Sequence, residues 1–275
     1  MKSRLVCLLL LVFIAAASAE QRRIRTKKAA TCRPDLCPPH QKHVGCGRQR
    51  GFEKSCGDGE YWILRVDGPL KESIVKEVNM MRNMVASGLY NMSAAAQMPE
   101  MGWDQRLEQY AALLQRQCDT KNEICANTQD YSYTAIAQVK AKIQKNTRIG
   151  QYIMNILMPS WMSDILGCQM DARHKITPIE GANGTCVGHY LPLIQDNGNR
   201  MGCAGRYEIV RKEGSEERVL QLLCVLSRTQ VGLAPPYVVG KAAGRCAAGS
   251  NMKYKYLCHY LEDVDPNDVI EPKKE

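Results

Sequence analysis

Nowhere in these 275 residues do two cysteines stand as a C-x2-C pair. That absence weighs against a zinc site, whose thiolates come at short and regular spacings. Aromatic residues are sparse, at 6% with only two phenylalanines, and no base-stacking motif accompanies them, so nucleic acid is excluded as a partner. Long apolar runs are missing too. The run from Leu5 to Ala19 is 15 residues, short of the about 20 that span a bilayer, and no later stretch approaches it. Ser160, Ser163 and Ser227 sit in no nucleophile elbow, and no nucleophile–base pair is evident.

The short apolar run has its own meaning. Lys2 and Arg4 precede it, and Ala17-Ser18-Ala19 closes it with small residues before Glu20. These are the three parts of a secretory signal peptide, which predicts a secreted, extracellular protein without a transmembrane segment. Removing the leader takes Cys7 and leaves twelve of thirteen cysteines, an even number that reads as a disulfide framework. The chain is long enough to bury a core, so the bridges staple a globular fold.

The net charge of +9 concentrates behind the leader, where Arg22, Arg23, Arg25, Lys27 and Lys28 crowd together. Such a block is a disordered tail, a processing site (Arg22-x-x-Arg25 or Lys27-Lys28), or a contact for an anionic surface or sulfated glycan. At the other end, the prolines and acids from Glu262 to Glu275 predict a loose tail.

Between these ends, Cys32, Cys37, Cys46 and Cys56 fall among prolines and glycines in an irregular extension. Helical periodicity begins at Pro69, with Ile74, Val75, Val78, Met81 and Val85 as its stripe and Gly88 as its close. A second helix is predicted from Asp104 as N-cap to about Cys118, with Leu107, Tyr110, Ala111 and Leu114 on its apolar face. Ile149 to Leu166 is apolar nearly all round and predicts a buried helix broken or kinked at Pro159. Then the period changes, and Val187–Ile194, Arg200–Lys212 and Arg218–Ser227 read as strands, the last covered on both faces. A hairpin turning at Glu213-Gly214 pairs residues whose numbers sum to 427, which sets Cys203 opposite Cys224 within bridging reach.

The run Ile74-Val-Lys-Glu-Val-Asn-Met-Met-Arg-Asn-Met-Val-Ala-Ser-Gly88 resembles the first helix of the CAP superfamily, with its HN, R and ASG letters. Met98-Pro-Glu-Met-Gly-Trp-Asp104 resembles that family's approach to its second helix. Gly188-His-Tyr-Leu-Pro-Leu-Ile194 and Met201-Gly-Cys-Ala204 resemble its GHF and GCA signatures. The N-terminal cysteines, with Tyr237 to Cys258, resemble the insect antigen-five, venom-allergen-like branch. The resemblance implies an α+β fold, an α-β-α sandwich, over 69–230. It is preceded by a signal peptide (1–19), a basic tail open to processing (20–31) and a cysteine-rich extension (32–68). It is followed by a bridged C-terminal extension (231–260) and a flexible tail (261–275). It also implies Cys32–Cys46, Cys37–Cys125, Cys56–Cys118 and Cys203–Cys224, leaving Cys168–Cys186 and Cys246–Cys258.

The family's cleft presents two histidines and two carboxylates, a set able to hold a divalent metal. Carried over, the first histidine falls on Val78, the G-E-N glutamate near Ile136, and the W-x-x-E glutamate on Asp164, three residues after Trp161. Only the histidine of GHF remains, as His189, and Pro192 replaces the family's Gln inside a predicted strand. One histidine and a shortened acid are too few ligands, so no metal, no cofactor and no catalytic residue is expected. His189 reads as a leftover cleft-lining residue, and His40, His43, His174 and His259 as solvated loop residues. Met80, Met81, Met84, Met154, Met158 and Met162 read as core, or as an adaptable lipid- or peptide-binding surface. Asn91-Met-Ser93 and Asn183-Gly-Thr185 are glycosylation sequons. The expectation is a non-enzymatic extracellular protein that binds a protein or lipid, in a reproductive, salivary or venom secretion. A sterol or fatty-acid carrier is the first alternative and a metal-dependent hydrolase the second.

Overall fold

A computed structural model describes residues 32–47, 50–118, 123–181, 186, 188–212, 215–229 and 235–268. The signal peptide, the basic tail, Asn183 and the Glu213-Gly214 turn lie outside the described residues.

The strands are β1 (Lys42–His43), β2 (Glu60–Leu64), β3 (Gly102–Trp103), β4 (Ile124–Cys125), β5 (Ala135–Lys142), β6 (Cys168–Met170), β7 (Ile176–Pro178), β8 (Arg200–Lys212) and β9 (Ser215–Leu226). The α-helices are α1 (Gly68–Ala86), α2 (Gln105–Gln117), α3 (Ile149–Tyr152) and α4 (Met158–Met162). The central sheet runs β2-β8-β9-β5 with antiparallel neighbours, and β3 adds a short parallel pairing to β8. Every β8–β9 pair sums to 427, Cys203 with Cys224 among them.

Period-two alternation sorts β9 onto two cores. Leu220, Leu222, Cys224 and Leu226 face Ile74, Val78, Met81 and Val85 of α1 and Leu157, Met158 and Trp161 of the third helical segment. Leu223 and Val225 face Leu107, Ala111 and Leu114 of α2. Helices therefore cover both faces of one sheet, an α-β-α sandwich.

The helix ends follow local chemistry. Asp67 caps α1 by accepting from the Leu70 N–H, with Pro69 in the first turn, and Gly88 leaves it in left-handed backbone (φ 87°). Asp104 caps α2 through the Arg106 and Leu107 N–H groups.

Six bridges tie the chain: Cys32–Cys46, Cys37–Cys125, Cys56–Cys118, Cys168–Cys186, Cys203–Cys224 and Cys246–Cys258. The first closes a loop within the N-terminal extension, and the next two clamp that extension onto β4 and the end of α2. The last closes a C-terminal extension that docks by backbone pairing, Cys258 N–H to Met98 O (2.8 Å) and Ala96 N–H to Val238 O (2.8 Å).

Four sequence expectations need correction. Within the expected strand Val187–Ile194, the described residues 188–194 are not a strand: Leu191–Ile194 forms a 3-10 turn with Pro192 in its first positions, where a missing N–H costs nothing. The helix at Ile149 is not broken at Pro159; a π segment, Ile153–Leu157, widens the turn before the proline and the helix runs on as α4. Nor is it buried all round, since Ile156 and Leu166 are exposed. The segment from Glu262 to Asp268 is packed, because the buried Glu262 accepts from the Ala247 and Ala248 N–H groups (2.9 and 2.8 Å) and Arg228 donates to Pro266 O (2.8 Å).

Candidate functional site

α1 turns a polar edge toward the 98–101 segment. Asn79, fully buried, donates from Nδ2 to Met101 O (3.0 Å) and accepts the Met101 N–H on Oδ1 (2.7 Å). Three residues on, on the same face, the buried Arg82 donates to Pro99 O (3.2 and 2.8 Å), Leu193 O (2.6 Å) and Gln195 O (3.2 Å). Burial lowers this guanidinium to about 9, against the attraction of Asp196. The N and R of the motif thus hold backbone: they join α1 to the approach to α2 and to the 191–195 turn. The sequence alone does not show these roles, because the carbonyls they satisfy lie up to 113 positions away.

The next group surrounds His189. Asp164 Oδ2 accepts the His189 N–H (2.9 Å), and Trp161 Nε1 donates to His189 O (3.0 Å). The W-x-x-D spacing therefore holds the His189 backbone at both its N–H and its C=O, and His189 itself is exposed. Beside it the fully buried Tyr190 carries a hydroxyl with no partner among the described residues, and burial raises it above the ordinary phenol range, helped by Asp164 and Tyr237.

Val78 is wholly buried in the core under the sheet, an isopropyl group that can ligate nothing. Ile136 corrects the alignment-based placement. It pairs with Val225, which packs with α2, whereas its neighbours Ala135 and Ala137 share the α1 core. Ile136 therefore points to the opposite face from Val78. The four carried-over positions bring together only Asp164 and His189, through the His189 backbone, and among the described residues no group of three His, Cys, Asp or Glu could hold a metal. These residues do not fit a divalent ion.

His43 is a second correction. It is fully buried, not solvated; Nδ1 accepts the Gly45 and Arg33 N–H groups (3.1 and 3.3 Å) and Nε2 donates to Asn127 O (3.0 Å). His40 and His174 are exposed and His259 is half-buried. Met81 and Met158 are core, and Met80, Met84, Met154 and Met162 pack partly against it. Met154 also lines an open groove of ≈ 840 Å3 with Ile63, Leu64, Leu70 and Ile149, between β2 and the starts of α1 and α3. Asn91 is exposed in a turn with φ 56°.

A two-helix-layer sandwich with this clamp geometry defines a class. Residues 75–207 match the model of the CAP family, described as the cysteine-rich secretory protein family, so this stretch of the chain is a CAP domain. Among its relatives, Venom allergen-1 of Aedes aegypti is 26% identical over 85% of this chain and 88% of its own. The antigen 5 like allergen Cul n 1 of Culicoides nubeculosus is 28% identical over 71% and 89%, and Tabinhibitin 1 of Tabanus yao 28% over 82% and 85%. The fold is similar to the crystal structure of NaASP2 with Zn2+ (TM-score 0.50, 18% identity, 70% of this chain and 96% of that one). It is also similar to that of Na-ASP-1 (TM-score 0.52, 17% identity, 71% and 47%). Among the described residues no helix is long and apolar enough to cross a membrane.

Proposed function

We propose that this chain is a secreted, non-enzymatic CAP protein that acts outside the cell by binding another protein or a lipid. The observation that carries the reading is Val78: a fully buried valine stands where the resemblance places a histidine ligand. Asp164 supports it, because one carboxylate oxygen already accepts a backbone N–H. Relatives named venom allergen and antigen 5 like allergen support an extracellular role in a venom-like secretion. The basic run Arg22 to Lys28 suits an anionic surface unless it is trimmed, and exposed Asn91 suits a glycan. The test is hydrolysis of ester, peptide and phosphoester substrates by the purified protein with zinc added. Rates should stay at buffer background, and turnover lost in Asp164→Asn would overturn the reading.

The groove at Leu64, Leu70, Ile149 and Met154 favours a second reading, a fatty-acid or sterol carrier, since small-molecule sites are concave and mostly apolar. Solvent extraction of natively purified protein followed by mass spectrometry separates the two. A stoichiometric lipid supports the carrier, and its absence supports protein binding.

A further inference from the structure

The C-terminal extension carries a hairpin whose apex is held out in solvent. Asn251 N–H donates to Leu257 O (2.8 Å) and His259 N–H to Gly249 O (2.9 Å). Ser250 pairs with Cys258, and the Cys246–Cys258 bridge closes the base. Asn251 fixes the turn, its Oδ1 accepting the Lys253 and Tyr254 N–H groups (2.8 and 2.9 Å). Tyr254 and Leu257 are buried in the main core, and the Tyr256 N–H donates to Asn83 Oδ1 of α1 (2.8 Å). Met252, in the turn of this anchored hairpin, is fully exposed.

A lone exposed methionine signifies little; its surroundings give it meaning. From Pro235 to Leu261 the chain has no Asp or Glu and four cations, Lys241, Arg245, Lys253 and Lys255, all exposed. Lys253 lies over the ring of Tyr254 (5.1 Å) and Lys255 over that of Tyr256 (5.6 Å), which beds their stems against apolar surface beside the apex. Tyr260 and Leu261, where the chain leaves the hairpin, are exposed as well. The acids nearby are engaged or outnumbered. Glu100 accepts from Asn251 Nδ2 (2.5 Å), Glu262 is buried on the Ala247 and Ala248 N–H groups, and Glu72 lines a groove with Lys76 and Lys253. Asp263 and Asp265, exposed just beyond, are half as many as the cations.

We propose that this hairpin docks on the surface of an anionic phospholipid bilayer. Met252 enters the boundary between headgroups and acyl chains, and Lys253 and Lys255 face lipid phosphates. The proposal rests on the extracellular, lipid-binding side of the reading above, and the lipid it names is a membrane surface instead of a carried molecule. Charge complementarity selects an anionic partner. The apex selects a bilayer among such partners, because an apolar side chain gains by leaving water and a sulfated glycan offers it nothing to enter. A turn already fixed by its own hydrogen bonds loses little freedom on docking.

The test is co-flotation of the full mature chain with vesicles of phosphatidylcholine carrying about 30% phosphatidylserine, and with vesicles of phosphatidylcholine alone. The protein should float with the first and stay behind with the second. Lys253→Gln with Lys255→Gln should weaken binding about thirtyfold. Met252→Ser, which keeps the charge, should weaken it about tenfold. These side chains are exposed, so the variants should keep the wild-type thermal transition, and the basic run behind the leader is the same in all three proteins. No flotation with either vesicle, or equal flotation of wild type and variants, would overturn the proposal. So would retention on heparin, without vesicle binding, that the lysine variant loses and Met252→Ser keeps; that result would assign the cations to a sulfated glycan. Lipid in a solvent extract without flotation would overturn this surface and leave the carrier reading standing.

Discussion

Asn79 and Arg82 show how little of a side chain's role is written in its own type. Each is a polar residue in the middle of a helix, buried among apolar neighbours, and each is there because a distant backbone needs it. Replacing Asn79 with leucine keeps the branched skeleton and strands the N–H and C=O of Met101, so it should cost about 2–4 kcal/mol in urea denaturation with an unchanged m-value. His43 gives a pH-dependent case. Burial lowers its pKa first, and the Asn127 carbonyl and Asp35 oppose that. Both acceptor contacts at Nδ1 come from backbone N–H groups, so the native ring is neutral there and protonation would set N–H against N–H. The contribution is fully present above the ordinary histidine value of about 6.5. It is lost as pH falls below that, because the unfolded chain takes up a proton the native one refuses. The urea midpoint should drop between pH 7 and pH 5, and drop less in His43→Gln.

At the scale of elements, Gly202 fixes how closely α2 approaches the sheet. A Cβ there would lie 2.1 Å from Glu108 N and 2.6 Å from Asp104 O, both backbone atoms of the approach to the helix or of its first turn. Nothing flexible can give way, so Gly202→Ala should cost more than about 4 kcal/mol, read as loss of the cooperative thermal transition or of soluble protein. The same elements show what was legible in the sequence. The β8–β9 register followed from counting, since a hairpin's pairs share one sum, and the Asp67–Pro69 and Asp104 helix starts followed from capping chemistry. Val187–Ile194 was misread because a short apolar run does not distinguish strand from helix by period, and Pro192 decides it only once the turn is seen. The match near Ile136 does not fix which face of β5 a residue takes, because in a strand one residue is the other face. β2 and β5 were not found, β2 because it is only five residues long and β5 because its buried side offers mostly alanines, Ala135, Ala137 and Ala141, which favour strand weakly.

For the whole molecule, two helical layers close on one sheet, and the bridged extensions are tied to its flanks by backbone hydrogen bonds and disulfides. His43 and Glu262 were both assigned to loose or solvated segments because their burial comes entirely from this docking, which no local pattern records. In this architecture α1 contributes Val78 to the core, and Trp161 and Asp164 hold the His189 backbone. The most direct measurement is calorimetric titration of zinc into the wild-type protein and His189→Ala, side by side at neutral pH. The account predicts no saturable one-to-one binding in either protein. A one-to-one site in the wild type that disappears in the variant would contradict it and return metal-dependent chemistry to this chain.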